Sequence, residues 1–114
     1  MREPVRIKVC GLTTVRDAEA CLEAGVDALG FCFWERSKRY VSVEQAARIA
    51  DVVGDRVQTV AVVVDMQASQ LRDLLRETGI RWAQLHGTES PTFLDEFLPH
   101  AYKALGVGGD DIGQ

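Results

Sequence analysis

The sequence predicts an α/β fold in which a parallel sheet is built from strands that alternate with helices, within a single domain spanning 1–114. Three observations carry this expectation. Short apolar runs such as Ala28–Phe33 and Thr59–Val64 lack polar alternation, as strands covered on both faces do. Between the runs lie segments with apolar residues at helical spacing, with capping residues in front and glycines behind. Each strand-plus-helix unit takes roughly 20 to 30 residues, the length of a repeat in a (β/α)8 barrel.

The first strand is expected over Val5–Val9. Thr14 then reads as an N-cap with Asp17 three residues on, and Val15, Ala18, Cys21 and Leu22 keep helical spacing until Gly25. Ala28–Phe33 is the second strand, and Trp34–Tyr40 is a polar, basic loop. Ser42 and Gln45 form a capping box for a second helix, whose apolar face is Val43, Ala46, Ala47, Ile49, Ala50 and Val53. Thr59–Val64 is the third and clearest strand, five of its six residues being Val or Ala. A third helix carries Leu71, Leu74 and Leu75 on one side and stops at Gly79. Arg81–Leu85 is the fourth strand. Ser90-Pro91 opens a fourth helix with proline at its first position, turning Phe93, Leu94, Phe97 and Leu98 inward. A short fifth strand is expected over Ala101–Leu105, followed by a Gly- and Asp-rich stretch, Gly106–Gln114, of loop character. The expected content is about five strands and four helices, an incomplete (β/α)8 barrel.

Composition removes several classes of function. A hydrophobic content of 46% is ordinary for a chain that buries a core. The formal charge of −4 argues against nucleic acid or an anionic membrane surface as partner. No apolar stretch approaches the ~20 residues of a membrane span, and the first residues, Met-Arg-Glu-Pro-Val-Arg, lack the apolar segment of a secretory signal. Cys10, Cys21 and Cys32 are odd in number and form no Cys-x-x-Cys pair. Neither a disulfide framework nor a metal site is indicated, and a reducing cytoplasm is the expected location.

Parallel strands place their C-terminal ends on one rim, where (β/α) folds bind ligands. Three of those ends carry unusual residues. Cys10-Gly11 follows the first strand: a thiol close to a helix N-terminus can serve as base or nucleophile, whereas a free cysteine is otherwise a small buried hydrophobe. The loop after the second strand holds Arg36, Lys38 and Arg39 within four residues. An arginine there can grip a carboxylate through two parallel hydrogen bonds, or the run is a solvated surface. Gln84-Leu85-His86-Gly87 ends the fourth strand, and His86 is either functional or a hydrogen-bonded structural histidine. Asp65, after the third strand, reads as the N-cap of the third helix or as a general acid. Gly106-Val107-Gly108-Gly109 has only a faint likeness to a phosphate loop, and no Walker or dinucleotide motif is present.

Taken in order, these segments resemble the phosphoribosylanthranilate isomerase family, (β/α)8-barrel enzymes of tryptophan biosynthesis. Lys8-Val9-Cys10-Gly11-Leu12-Thr13 is similar to the family's opening motif, and Gly30-Phe31-Cys32-Phe33 with Ser37-Lys38-Arg39-Tyr40-Val41 to its second. Val60–Val64 and Gln84-Leu85-His86-Gly87 match its third- and fourth-strand motifs. The resemblance covers the whole chain but not the whole family. The family's catalytic aspartate after the sixth strand, and its phosphate-binding loops after strands seven and eight, have no counterpart here.

The resemblance implies an Amadori rearrangement of N-(5-phosphoribosyl)anthranilate to 1-(2-carboxyphenylamino)-1-deoxyribulose 5-phosphate. It makes Cys10 the catalytic base and Arg39 the group that binds the anthranilate carboxylate. His86 and Gly11 then belong to the substrate-binding site, and no metal or cofactor is implied. The expected partners are a small phosphorylated substrate and, through the exposed edges of an open half-barrel, other copies of the chain. The chain is expected to be an incomplete, inactive version of the enzyme. The alternative is a flavodoxin-like, non-catalytic module that binds a small phosphorylated ligand, and an assembly fragment is a third reading. Strand order separates the first two: 1-2-3-4-5 for the isomerase, 2-1-3-4-5 for the module.

Overall fold

The computed structural model describes residues 7–103. Five strands, β1 (Lys8–Cys10), β2 (Ala28–Cys32), β3 (Gln58–Val63), β4 (Trp82–Leu85) and β5 (Ala101–Lys103), alternate with four helices. These are α1 (Val15–Ala24), α2 (Val43–Val53), α3 (Ala68–Thr78) and α4 (Pro91–Phe97), with a 3-10 turn at Gly54–Arg56 after α2. Every strand pairs in parallel with its sequence neighbour, in the order β1-β2-β3-β4-β5. A flavodoxin-like sheet would seat the first strand between the second and third. That alternative is therefore set aside, and the sheet is a barrel wall.

The register explains how one set of short strands serves two surfaces. Lys8, Ala28 and Gln58 align, as do Cys10, Gly30, Val60 and Trp82, so these residues share the concave face with Cys32, Val62 and Gln84. The alternate residues Leu29, Phe31, Ala61, Val63, Ala83 and Leu85 face the helices, and all are fully buried. They pack against Ala46, Ile49 and Val53 of α2 and Leu71 and Leu74 of α3. Burying each of the larger of these side chains contributes about 1.5–3 kcal/mol, so the helical layer holds the wall's shape.

Helix boundaries follow the capping chemistry with two exceptions. Thr14 Oγ1 accepts from the Asp17 N–H at 3.0 Å, Ser42 Oγ from the Gln45 N–H at 3.1 Å, and Ser90 Oγ from the Phe93 N–H at 3.1 Å. Each such cap contributes about 1 kcal/mol. The expected reciprocal half of the Ser42 box is not made. The Gln45 carboxamide donates instead to the Thr13 carbonyl at 3.1 Å, tying α2 to the loop that precedes α1. Nor does Asp65 cap α3: the N-cap is Gln67. Gly25 and Gly79 end α1 and α3 with left-handed backbone (φ 83° and 77°), as their positions predict.

Other differences are small. β1 includes Cys10, because Cys10 pairs with Gly30, while the expected start at Val5 and Arg6 lies outside the described residues. β3 starts one residue earlier than expected and β4 one later. Leu98 is not turned inward: α4 ends at Phe97, which is buried, and Leu98 is 52% exposed. The end of the fifth strand and the Gly-rich stretch 106–114 lie outside the described residues. Among the described residues, no helix is long and apolar enough to cross a membrane.

Candidate active site

Strand alternation on β1 puts Lys8 and Cys10 on the concave side and Val9 among the helices. Cys10 is exposed, so it is not the buried hydrophobe that a free cysteine usually is, whereas Cys32 is buried. The residue beside it in register is Gly30. A Cβ at Gly30 would stand 2.7 Å from Cys10 Sγ, closer than carbon and sulfur approach unless one of them moves, and in a tight 3.3 Å contact with Cys10 Cα. The glycine inside an otherwise apolar strand thus makes the space the thiol occupies. Gly11 turns the chain with φ 86°, a conformation open to glycine at little cost. Its N–H donates to the Gly30 carbonyl at 3.0 Å and the Leu12 N–H to the same oxygen at 3.4 Å, locking the strand end to β2.

The basic loop is held over this strand end by its own backbone. The Ser37 N–H donates to the Trp34 carbonyl at 3.0 Å, the Arg39 N–H to Ser37 Oγ at 3.0 Å, and the Val41 N–H to the Cys32 carbonyl at 2.9 Å. The side chain of Arg39 consequently lies across Gly11, and Nη1 donates to the Cys10 carbonyl at 3.4 Å. Arg39 is exposed, as an arginine that grips a solute must be. Arg36 is placed differently. It lines a cleft of ≈ 600 Å³ with Phe33, Trp34, Asp65 and Gln70, on the side of α3.

His86 follows β4 on the concave side. Its Nε2 lies 2.5 Å from Gln84 Nε2. Gln84 is buried, and its Oε1 accepts from Tyr102 OH at 2.9 Å and from the Lys8 ammonium. Two strands lie between β1 and β4, which in a flat sheet would separate them by about 14 Å at ~4.8 Å per strand. A direct Lys8–Gln84 bond therefore records how tightly the wall curves, and it brings the Cys10 and His86 strand ends toward each other.

Asp65 has a structural task in this rim. It sits at φ 51°, where aspartate is one of the few side chains tolerated. Its Oδ1 accepts from the Thr88 N–H at 2.6 Å and Thr88 Oγ1 at 2.9 Å. In return Glu89 accepts from the Asp65 N–H at 2.8 Å and the Gly87 N–H at 2.9 Å. The loops after β3 and β4 are clasped together. The helix-cap expectation for Asp65 is not met, because Gln67 caps α3.

A larger cleft of ≈ 710 Å³ lies at the opposite end of the strands, between α2 and α3, lined by Asp51, Arg56, Thr59, Arg81 and Trp82 among others. It is remote from Cys10, and its mixed charges are already paired in part, Arg81 with Asp55 at 3.0 Å. No group of three His, Cys, Asp or Glu side chains gathers as a metal-ligand set among the described residues. The sequence reading named Cys10, Gly11, Arg39 and His86 but passed over Gly30, Lys8, Gln84 and Tyr102. The available signal was polarity at alternate positions of short apolar strands.

A parallel wall with sequential strand order, a helical layer behind it and an exposed thiol at the C-terminal rim defines a (β/α)-barrel-type enzyme scaffold. Residues 7–108 match the family model of N-(5'-phosphoribosyl)anthranilate isomerase, and the chain belongs to that family. The isomerase of Nitrosospira multiformis is 40% identical over 103 residues, covering 90% of this chain and 50% of the relative. The crystal structure of phosphoribosyl anthranilate isomerase from Thermotoga maritima superposes with a TM-score of 0.87 at 36% identity, over 91% of this chain and 52% of that one. A structure of such an isomerase in complex with reduced 1-(o-carboxyphenylamino)-1-deoxyribulose 5-phosphate also gives a TM-score of 0.87 at 36% identity, over 91% of this chain and 55% of its own. The chain spans about half the length of the curated relatives it matches.

Proposed function

We propose that these residues form the base-bearing, N-terminal part of a phosphoribosylanthranilate isomerase barrel, organised as one domain. The observation that carries this is Cys10: exposed on the concave rim, with space cleared by Gly30 and the Arg39 guanidinium laid over the same strand end. The substrate is N-(5-phosphoribosyl)anthranilate. Protonation of its ring oxygen opens the furanose as a Schiff base. Cys10 then takes the proton from C2, giving the enolamine, which tautomerises to the aminoketose. Arg39 binds the anthranilate carboxylate, His86 helps to shape the substrate pocket, and Gly11 gives the rim its close approach. The ring-opening acid and the phosphate grip are not assigned to residues of this chain. Three free thiols fit a reducing, cytoplasmic setting. The likeness to an isomerase bound to a deoxyribulose 5-phosphate compound supports a small phosphorylated ligand.

The test joins this wall to the C-terminal half of a related isomerase and follows loss of phosphoribosylanthranilate fluorescence. Turnover that disappears with Cys10→Ala is the expected result. Turnover untouched by that change would overturn the reading.

A further inference from the structure

We infer that Lys8 and Gln84 are positioning residues that set the protonation of His86, holding it neutral with its proton on Nδ1 and a lone pair on Nε2. The reasoning runs across the concave face from β1 to β4. The Lys8 ammonium has three donors and no acceptor. Whatever atom of the Gln84 carboxamide meets it must therefore be the oxygen, and Oε1 does meet it. Tyr102 agrees: its hydroxyl donates to Oε1 at 2.9 Å while accepting from Lys8 Nζ at 3.3 Å. With Oε1 taken, the amide presents its NH2 group to His86, 2.5 Å away. That group only donates, so His86 Nε2 must accept. A neutral imidazole with an accepting Nε2 carries its proton on Nδ1.

Burial makes the constraint firm. Gln84 is only 8% exposed, so water cannot readily replace its partners. Turning the amide over would aim NH2 at an ammonium and leave two donors facing each other. Protonating His86 at Nε2 would do the same against the Gln84 NH2. The fixed charge on Lys8 is thus relayed through one carboxamide into the choice of a ring nitrogen two residues beyond it. The consequence for catalysis rests on the isomerase reading: a neutral His86 forms part of the pocket wall, and proton abstraction is left to Cys10.

Nitrogen-15 NMR of the full chain labelled at histidine tests this without requiring turnover. His86→Gln serves only to assign the signals against those of His100. At neutral pH the wild-type His86 should show an acceptor-type Nε2 resonance and a protonated Nδ1. Gln84→Glu keeps the shape but replaces the NH2 with a carboxylate oxygen, so the Nε2 resonance should move to the protonated range. Lys8→Met frees the carboxamide to turn, and a protonated-Nε2 population should appear. A wild-type ring protonated on Nε2, or an Nε2 that stays unprotonated in Gln84→Glu, would overturn the inference. A spectrum unmoved by Lys8→Met would remove Lys8 from it. A joined barrel that shows the expected His86 spectra but no isomerase turnover would instead count against the functional reading alone.

Discussion

The guanidinium of Arg39 reaches back over Gly11 and donates from Nη1 to the carbonyl oxygen of Cys10 at 3.4 Å, joining two strand ends that are 29 residues apart in sequence. The bond is long and exposed, so its contribution to stability is slight. Its value is in placement. The group proposed to hold the substrate's carboxylate is anchored to the residue proposed to take its proton, and Gly11 leaves the passage for the arginine stem.

Cys10→Ala in the joined barrel should lower kcat by about two to four orders of magnitude, the usual reach of a positioned general base. Stability should hardly change, because Cys10 is exposed. Steady-state kinetics and thermal unfolding of the same preparation check both halves of this expectation, and an unaltered kcat would rule Cys10 out as the base.

Arg39→Ala should act mainly on KM, since a carboxylate carries its charge in both ground and transition states. A charge-assisted hydrogen bond of about 1.5–3 kcal/mol corresponds to a rise of roughly 10- to 150-fold. Arg39→Lys should recover part of it, lacking the bidentate fork. Arg36→Ala is the control and should leave KM unchanged, because Arg36 lines a different cleft.

Gly30→Ala introduces a methyl 2.7 Å from Cys10 Sγ. The thiol must move, and a displacement of the order of 1 Å can cost about 100-fold in rate. The expected signature is a fall in kcat with the fold preserved by circular dichroism. Full activity would mean that the thiol has room the register does not indicate.

Asp65→Asn retains both a residue tolerant of positive φ and an acceptor for Thr88, so activity and unfolding midpoint should stay near those of the parent. Asp65→Ala loses the acceptor and strains φ 51°, at a cost of about 1–3 kcal/mol by denaturant titration. A large loss of kcat in Asp65→Asn, with stability intact, would assign Asp65 the role of an acid.

The 114 residues produced by themselves should show no isomerase turnover, since nothing assigned among them opens the furanose or fixes the phosphate over Cys10. Among the described residues β1 and β5 each pair on one side only, so sizing by ultracentrifugation should detect association through these edges. Monomeric behaviour with measurable turnover would contradict both statements.

Local chemistry determined much of this protein before any folding. The caps at Thr14, Ser42 and Ser90, the stops at Gly25 and Gly79, and the unbroken apolar runs of β2 and β3 depend on neighbours a few residues away, so the α/β order was legible in the sequence. So was the rim carrying Cys10, Arg39 and His86, because parallel strands put their ends together. Only the tertiary structure decided what met across the wall. Gly30 mattered through its register with Cys10, Asp65 through a partner loop that took its carboxylate from helix capping, and Gln45 through the Thr13 carbonyl. Lys8, Gln84 and Tyr102 are ordinary polar residues along the chain and become one network because the sheet curves. Curvature is set by the packing of every helix against every strand, a sum over long-range contacts that no stretch of sequence contains.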